Sequence, residues 1–320
     1  MININTIKQI VKYPMLEIMT IIFSLVYIFK NYSIIDYYTF FIYSMILSTY
    51  KGCFNTYELI ISSISLVETE KRIILVEIFQ MTHLIYLSNF REMLIQLVNL
   101  MTLFSANYYM KIFNLTIEII FLECKKLIYY IFVTLICLSV QLLLLKSSNT
   151  NIKRKIFHFF SMVIYFNKSF LAIFLGQFLI LIFIMSLAFR PVKRFNDRFK
   201  SSKDPGLVAI SHILLLCSIC YSSLFLDLYE YRAILIVICV LDSLSSIYGK
   251  IIKSKQKSLL SSLLSISTTK VICKLMIHSK YTLLISFMGV IEYLLKSNDN
   301  LFLPYLMIFF LRKRILISNC

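Results

Sequence analysis

The segment Ile234–Ser258, ILIVICVLDSLSSIYGKIIKSKQKS, sets the reading of the whole chain. It opens as an apolar run of membrane quality. Asp242 interrupts that run, and Ser243, Ser245, Ser246 and Gly249 follow. Lys250, Lys253, Lys255 and Lys257 come next. Read as a helix, Asp242, Ser245, Ser246 and Gly249 fall at i, i+3, i+4 and i+7 and share one face. A charged side chain at the centre of a bilayer costs roughly 2.5–3.5 kcal/mol on insertion scales. Two explanations meet that cost. In one, Asp242 is an interfacial carboxylate that caps or pairs locally, and the lysines orient the helix. In the other, the carboxylate, the small polar face and the lysines form a site for a phosphate-bearing ligand at the membrane surface.

Composition favours the bilayer over a soluble core. The chain has 320 residues, 59% hydrophobic and only 15% charged. Soluble domains are about half apolar with about a quarter charged. Apolar stretches near spanning length, without strict alternation, predict an all-α polytopic membrane protein rather than a barrel. The clear candidates are 127–145, 169–189, 207–226, 233–248, 281–295 and a short 301–311. Weaker ones are 14–29, 34–50, 73–87, 93–109 and 113–122, and the mixed region 259–277 is one more. The expected total is roughly ten to twelve transmembrane helices. Residues 1–145 form an N-terminal transmembrane region, and 146–320 a catalytic-like transmembrane region with cytosolic basic loops.

The formal charge of +17 would suggest nucleic acid in a soluble protein. Here the positive charge sits in short loops, so no nucleic-acid partner is expected. Orientation by the positive-inside tendency and attraction of a polyphosphate are the two remaining uses. The basic clusters are 146–155, 190–203, 250–257 and 312–314, and the acidic loop DLYEYR lies at Asp227–Arg232. The first three clusters are expected in the cytosol and the acidic loop in the lumen. Residues 156–189 must then leave and return as two short segments. Eight cysteines are scattered, and Cys217 and Cys220 lack the second pair of a zinc site, so they read as packing residues. The N-terminus lacks a cleavage site, and its first apolar run reads as a retained anchor.

Two further groups stand at helix ends. Arg154, Lys155 and His158, in KRKIFH, place a histidine one turn inside a basic pair. Asp204, Gly206, Ser211 and His212, in DPGLVAISH, place a second histidine inside the membrane after an Asp-Pro-Gly turn. His83 and His278 have no such company and read as structural.

The order of these elements resembles the dolichol kinases, membrane enzymes that phosphorylate dolichol with CTP. The matches are RKIFH (Arg154–His158), DPGLVAISHILLL (Asp204–Leu216) and LDSLSSIYGK (Leu241–Lys250), across roughly residues 150–265. The family has glycine where Leu241 stands, alanine-serine at Ser245-Ser246, and a second glycine where Lys253 stands. Its Lys-Thr-x-Glu-Gly-Thr element has a shortened counterpart in QKSLLSS, with Lys257-Ser258 for Lys-Thr and Leu260 for the glutamate.

The resemblance implies transfer of phosphate from CTP to dolichol, giving dolichyl phosphate for protein glycosylation, at the cytosolic face of the endoplasmic reticulum membrane. It implies Mg²⁺ or another divalent cation. Asp242 would be its ligand or a general base. Ser245, Ser246 and Gly249 would line the nucleotide, with Lys250, Lys253, Lys257 and Ser258 at its phosphates. Arg154, Lys155 and His158 would stand across the site, and His212 and Asp204 would position the alcohol or a second metal. The alternatives are a diacylglycerol or phytol kinase, a related lipid-nucleotide transferase, and a non-catalytic transporter using intramembrane Asp and His as a pathway.

Overall fold

The computed structural model describes residues 121–144, 150–185, 210–253, 258–294 and 299–318, with the isolated positions Phe40, Glu58, Leu59, Ser62, Ser63, Asn114, Ile117, Arg194 and Asp197. The described residues form helices and turns, with no strand among them. The helices are α1 (Cys124–Leu144), α2 (Thr150–Tyr165), α3 (Phe170–Met185) and α4 (Ile210–Phe225), then α5 (Leu228–Ile251), α6 (Leu259–Met276), α7 (Thr282–Leu294) and α8 (Asp299–Ser318). A 3₁₀ turn at Ser279–Tyr281 precedes α7. The seven expected spans from 127 onward each fall on one of these helices. Residues 156–185 form the greater part of α2 and all of α3, with a turn between them. The weaker spans before residue 113 lie almost wholly outside the described residues.

Among the described residues, three helices are long and apolar enough to cross a membrane: α1 over Cys124–Gln141, α5 over Leu228–Ile251 and α6 over Leu259–Met276. The surfaces of α1 and α6 are those of lipid-facing helices. On α6 the buried positions are Ser261, Ser262, Ser265, Thr269 and Cys273. The exposed ones include Leu259, Leu260, Leu263, Leu264, Val271, Leu275 and Met276. In water this helix would be inside out, with hydroxyls in the core and leucines in solvent. In a bilayer, hydroxyls are placed against other helices and leucines against acyl chains. The α1 helix likewise exposes Ile128, Ile131, Phe132 and Leu135 while burying Tyr130, Val133, Cys137 and Gln141.

The chain forms two units. One comprises residues 1–22, 133–169 and 218–320; the other comprises 23–132 and 170–217. In the first unit, α5 is the central helix. Its residues from Ala233 to Ser243 are all buried, and it packs against α2, α6, α7 and α8. The helix starts with a capping box. Asp227 Oδ1 accepts from the Glu230 N–H at 2.8 Å, and Glu230 Oε2 accepts from the Asp227 N–H at 3.4 Å. The two acids of the DLYEYR loop therefore have a local structural task.

Over Ile236–Leu241 the helix widens to π geometry. The Asp242 N–H bonds to the Val237 carbonyl, five residues back instead of four, and normal α-helix resumes at Asp242. Single π turns within α-helices are uncommon and concentrate at functional sites. The α6–α7 pair packs closely through Gly289, because a Cβ there would overlap the Ile266 side chain.

Three turns of the first unit, after α2, before α5 and after α6, gather at one end. Lys168 Nζ donates to the Leu226 carbonyl at 2.5 Å, and Arg232 Nε donates to the Phe166 carbonyl at 3.0 Å. The Tyr229 ring lies 5.6 Å from that of His278. The first turn of α2 and the last turn of α5, which carry the basic clusters, lie at the other ends of their helices.

Candidate functional site

A polar group is built where α2 and α8 meet α5. Lys155 sits in the second turn of α2, and His158 follows one turn later on the same face. Lys155 Nζ contacts Asp242 Oδ2 at 2.5 Å, and His158 Nε2 lies 3.4 Å from the same oxygen. All three side chains are buried. The Lys155–Asp242 contact joins residues 87 positions apart. It brings two of the three motifs, RKIFH and LDSLSSIYGK, together across two helices.

The imidazole of His158 is held on both sides. Its Nδ1 lies 2.9 Å from the Arg154 carbonyl, which can only accept, so Nδ1 carries the proton of that bond. Its Nε2 lies 3.1 Å from Asn300 Oδ1 on α8. Asn300 is held there through its own backbone. Pro304 lies inside α8 and has no N–H to return to the Asn300 carbonyl four residues before it. Ser218 Oγ on α4 donates to that carbonyl instead, at 2.6 Å. The proline thus creates an acceptor that ties α4 to α8 beside His158.

The polar face of α5 continues below Asp242. Ser245 Oγ lies 3.2 Å from the Asp242 carbonyl and 3.1 Å from Glu292 Oε1 on α7. Glu292 is only 1% exposed, so a second carboxylate is buried against this face. Ser245, Ser246 and Gly249 are half-buried. A Cβ on Gly249 would meet only Ser261 Oγ, at 3.9 Å, so the glycine leaves ordinary packing space, not a forced close approach.

The lysines beyond are at the helix end. Lys250 and Lys253 are exposed. Lys250 is eight residues beyond Asp242, about 12 Å along the axis. Lys253 follows the C-cap Ile252 with φ 57, the left-handed conformation that favours glycine. This is the position where the resembled family has its second glycine, and the backbone here keeps the shape that a glycine would take. Ser258 is the N-cap of α6, its Oγ accepting from the Ser261 N–H at 3.2 Å.

Of the remaining candidates, His212 belongs to the other unit, where its ring lies 5.9 Å from that of Phe183 and is buried. Ser211 beside it is buried as well. Asp204 and Lys257 lie outside the described residues. Glu292 and Asn300 were missed by reasoning from motifs. The signal for Glu292 was present in the sequence as a single carboxylate within an apolar helix, which by itself marks a functional position.

Among the described residues no group of three or more His, Cys, Asp and Glu side chains could hold a metal ion. One carboxylate with phosphate oxygens and waters suffices for Mg²⁺, which is seldom held in an all-protein cage. Both side-chain contacts to Asp242, from Lys155 and His158, fall on Oδ2. No protein-family model, curated protein or solved structure matches this chain, so the site is read from its own geometry.

Proposed function

We propose that this chain is a lipid-alcohol kinase of the dolichol kinase type, with roughly ten to twelve membrane spans. It would transfer the terminal phosphate of CTP to dolichol at the cytosolic face of the endoplasmic reticulum membrane and so supply protein glycosylation. The observation that carries the reading is the buried Lys155–Asp242–His158 group. It joins two motifs whose separation in sequence gives no structural reason to meet. A lipid alcohol lies in the bilayer and a nucleotide in water, so their site must lie within the membrane domain and open at its surface. Asp242 is about nine residues, or ~14 Å, from the surface end of α5, which meets that demand.

In the reaction the alcohol oxygen attacks the γ-phosphorus of CTP. A new P–O bond forms, the bond to the bridging oxygen breaks, and CDP leaves with the bond's electrons. The alcohol proton is lost to a base. The chain's task is placement and charge neutralisation. Lys250, Lys253 and Lys257 would draw the phosphates to the end of α5. Lys155 and His158 hold Asp242 in one orientation and keep positive charge beside it. Asp242 would hold Mg²⁺ if bound, which would neutralise charge on the phosphates, or would accept the alcohol proton.

The test is transfer from labelled CTP or ATP to dolichol, phytol and diacylglycerol in membranes containing the chain. The expected outcome is dolichyl phosphate from CTP and little product from ATP. A preference for diacylglycerol would place the chain with the diacylglycerol kinases. No transfer to any alcohol would end the kinase reading.

A further inference from the structure

We infer that Ser245 and Glu292 form the subsite that receives the hydroxyl of the acceptor lipid alcohol. This assignment rests on the lipid-alcohol kinase reading for its substrate class, but on its own contacts for its place. Ser245 has one O–H and two acceptors within reach, the Asp242 carbonyl at 3.2 Å and Glu292 Oε1 at 3.1 Å. A bond to a carboxylate is roughly twice as strong as one to a neutral acceptor. Glu292 therefore takes the serine proton from the back-bond to Asp242 that a serine in a helix otherwise makes. With its proton directed at Glu292, Ser245 Oγ offers lone pairs. It then suits a ligand group that donates, such as an alcohol O–H, and does not suit a phosphate oxygen.

The location fits a lipid ligand. Ser245 is one turn from Asp242 on the same face, so a hydroxyl held there stands beside the proposed phosphoryl-transfer residues. The opposite face of α7 is apolar and exposed at Leu283, Phe287 and Val290, and the outer face of α6 at Leu263 and Leu264. An isoprenoid chain could lie along those surfaces while its head reaches inward. The buried wall nearby is made of small hydroxyl residues, Ser261, Ser262 and Ser265. Burying a carboxylate in such a helix is costly without a use. Glu292 is a positioning residue in this scheme, acting through Ser245.

The experiment uses the full-length protein in nanodiscs and a photoactivatable isoprenoid alcohol, without nucleotide. Labelling should be competed by the unlabelled alcohol and about tenfold less well by its methyl ether, which cannot donate. Glu292→Ala and Ser245→Ala should each lower labelling roughly tenfold, with Glu292→Gln, a neutral acceptor on a par with the Asp242 carbonyl, falling between them and wild type. Asp227→Ala, remote from this group, should label as wild type. In transfer assays Glu292→Ala should raise KM for the alcohol and leave KM for CTP unchanged. Equal competition by the ether, or wild-type labelling of both alanine variants, would overturn the subsite. If Glu292→Ala does not accumulate, Ser245→Ala decides. Hydroxyl-dependent labelling without any transfer from CTP would instead end the kinase reading and leave the subsite standing.

Discussion

Two acidic spots lie on or at the start of α5, and they are satisfied in opposite ways. At its start, Asp227 and Glu230 close a capping box with backbone N–H groups three residues apart. Fifteen residues on, Asp242 is met by side chains from another helix, Lys155 and His158. The difference is one of supply. The first turn of a helix has N–H groups to spare, so a carboxylate there finds donors locally. Inside the helix every N–H is spent on the backbone, even through the π turn, and a buried carboxylate must import its donors. The local arrangement can be lost without disturbing the rest, whereas the imported one ties the helices together.

The largest effect is expected at the imported end. Asp242→Asn leaves Lys155 buried without its anion, which should cost about 3–5 kcal/mol and abolish transfer. Thermal unfolding of the detergent-solubilised protein would read the first effect, and CTP-dependent labelling the second. Pairing Lys155→Met with Asp242→Leu should recover much of the stability but none of the transfer. Recovery of activity in that pair would show the ion pair to be scaffolding only. Next in size is His158→Ala, which removes one charge-capable donor to Asp242 and the link to Asn300. About 1.5–3 kcal/mol should be lost, less than additively with Asp242→Asn, because the two share a network.

At the local end, Asp227→Ala should cost about 1 kcal/mol and leave transfer per molecule unchanged. Its effect should add to that of Asp242→Asn, because the sites are about 20 Å apart along the helix. Strong coupling between them would break the contrast between local and imported donors. Smallest is Lys253→Gly. Releasing a left-handed lysine should stabilise the end of α5 by up to about 1 kcal/mol, while raising KM for the nucleotide if Lys253 meets a phosphate. An unchanged KM would assign the lysine to membrane orientation.

The helices were legible because long apolar runs bounded by charge or turn residues leave few other solutions. From residue 127 onward their observed ends fall mostly within a few positions of those read from hydropathy, with α5 beginning earlier and α8 running later. The Asp227 cap lengthens α5 at its start, since the acids were read only as a lumenal charge marker and not as helix-starting donors and acceptors. The meeting of Lys155 with Asp242 could not be read from spacing, which reports neighbours within a helix and nothing across 87 residues. Asn300 was hidden for the same reason, its use depending on a carbonyl that Pro304 frees and Ser218 fills. The π segment carries neither glycine nor proline, and IVICVL gives no composition signal for it. The left-handed turn was foreshadowed by the missing glycine at Lys253, though only as a departure from a family pattern.

The wide turn before Asp242 also changes what the length of that segment means. Each residue of an α-helix advances the side chains by about 100°. A six-residue stretch carrying one more residue than its turns require therefore sets the azimuth of everything after it. Removing one of these apolar residues would let the helix revert to regular winding, while Asp242, Ser245 and Gly249 kept their mutual spacing. The same face would then point about 100° away from Lys155 or from Glu292. The segment acts as a phase adjuster, its residue count fixed more tightly than the identity of any side chain in it.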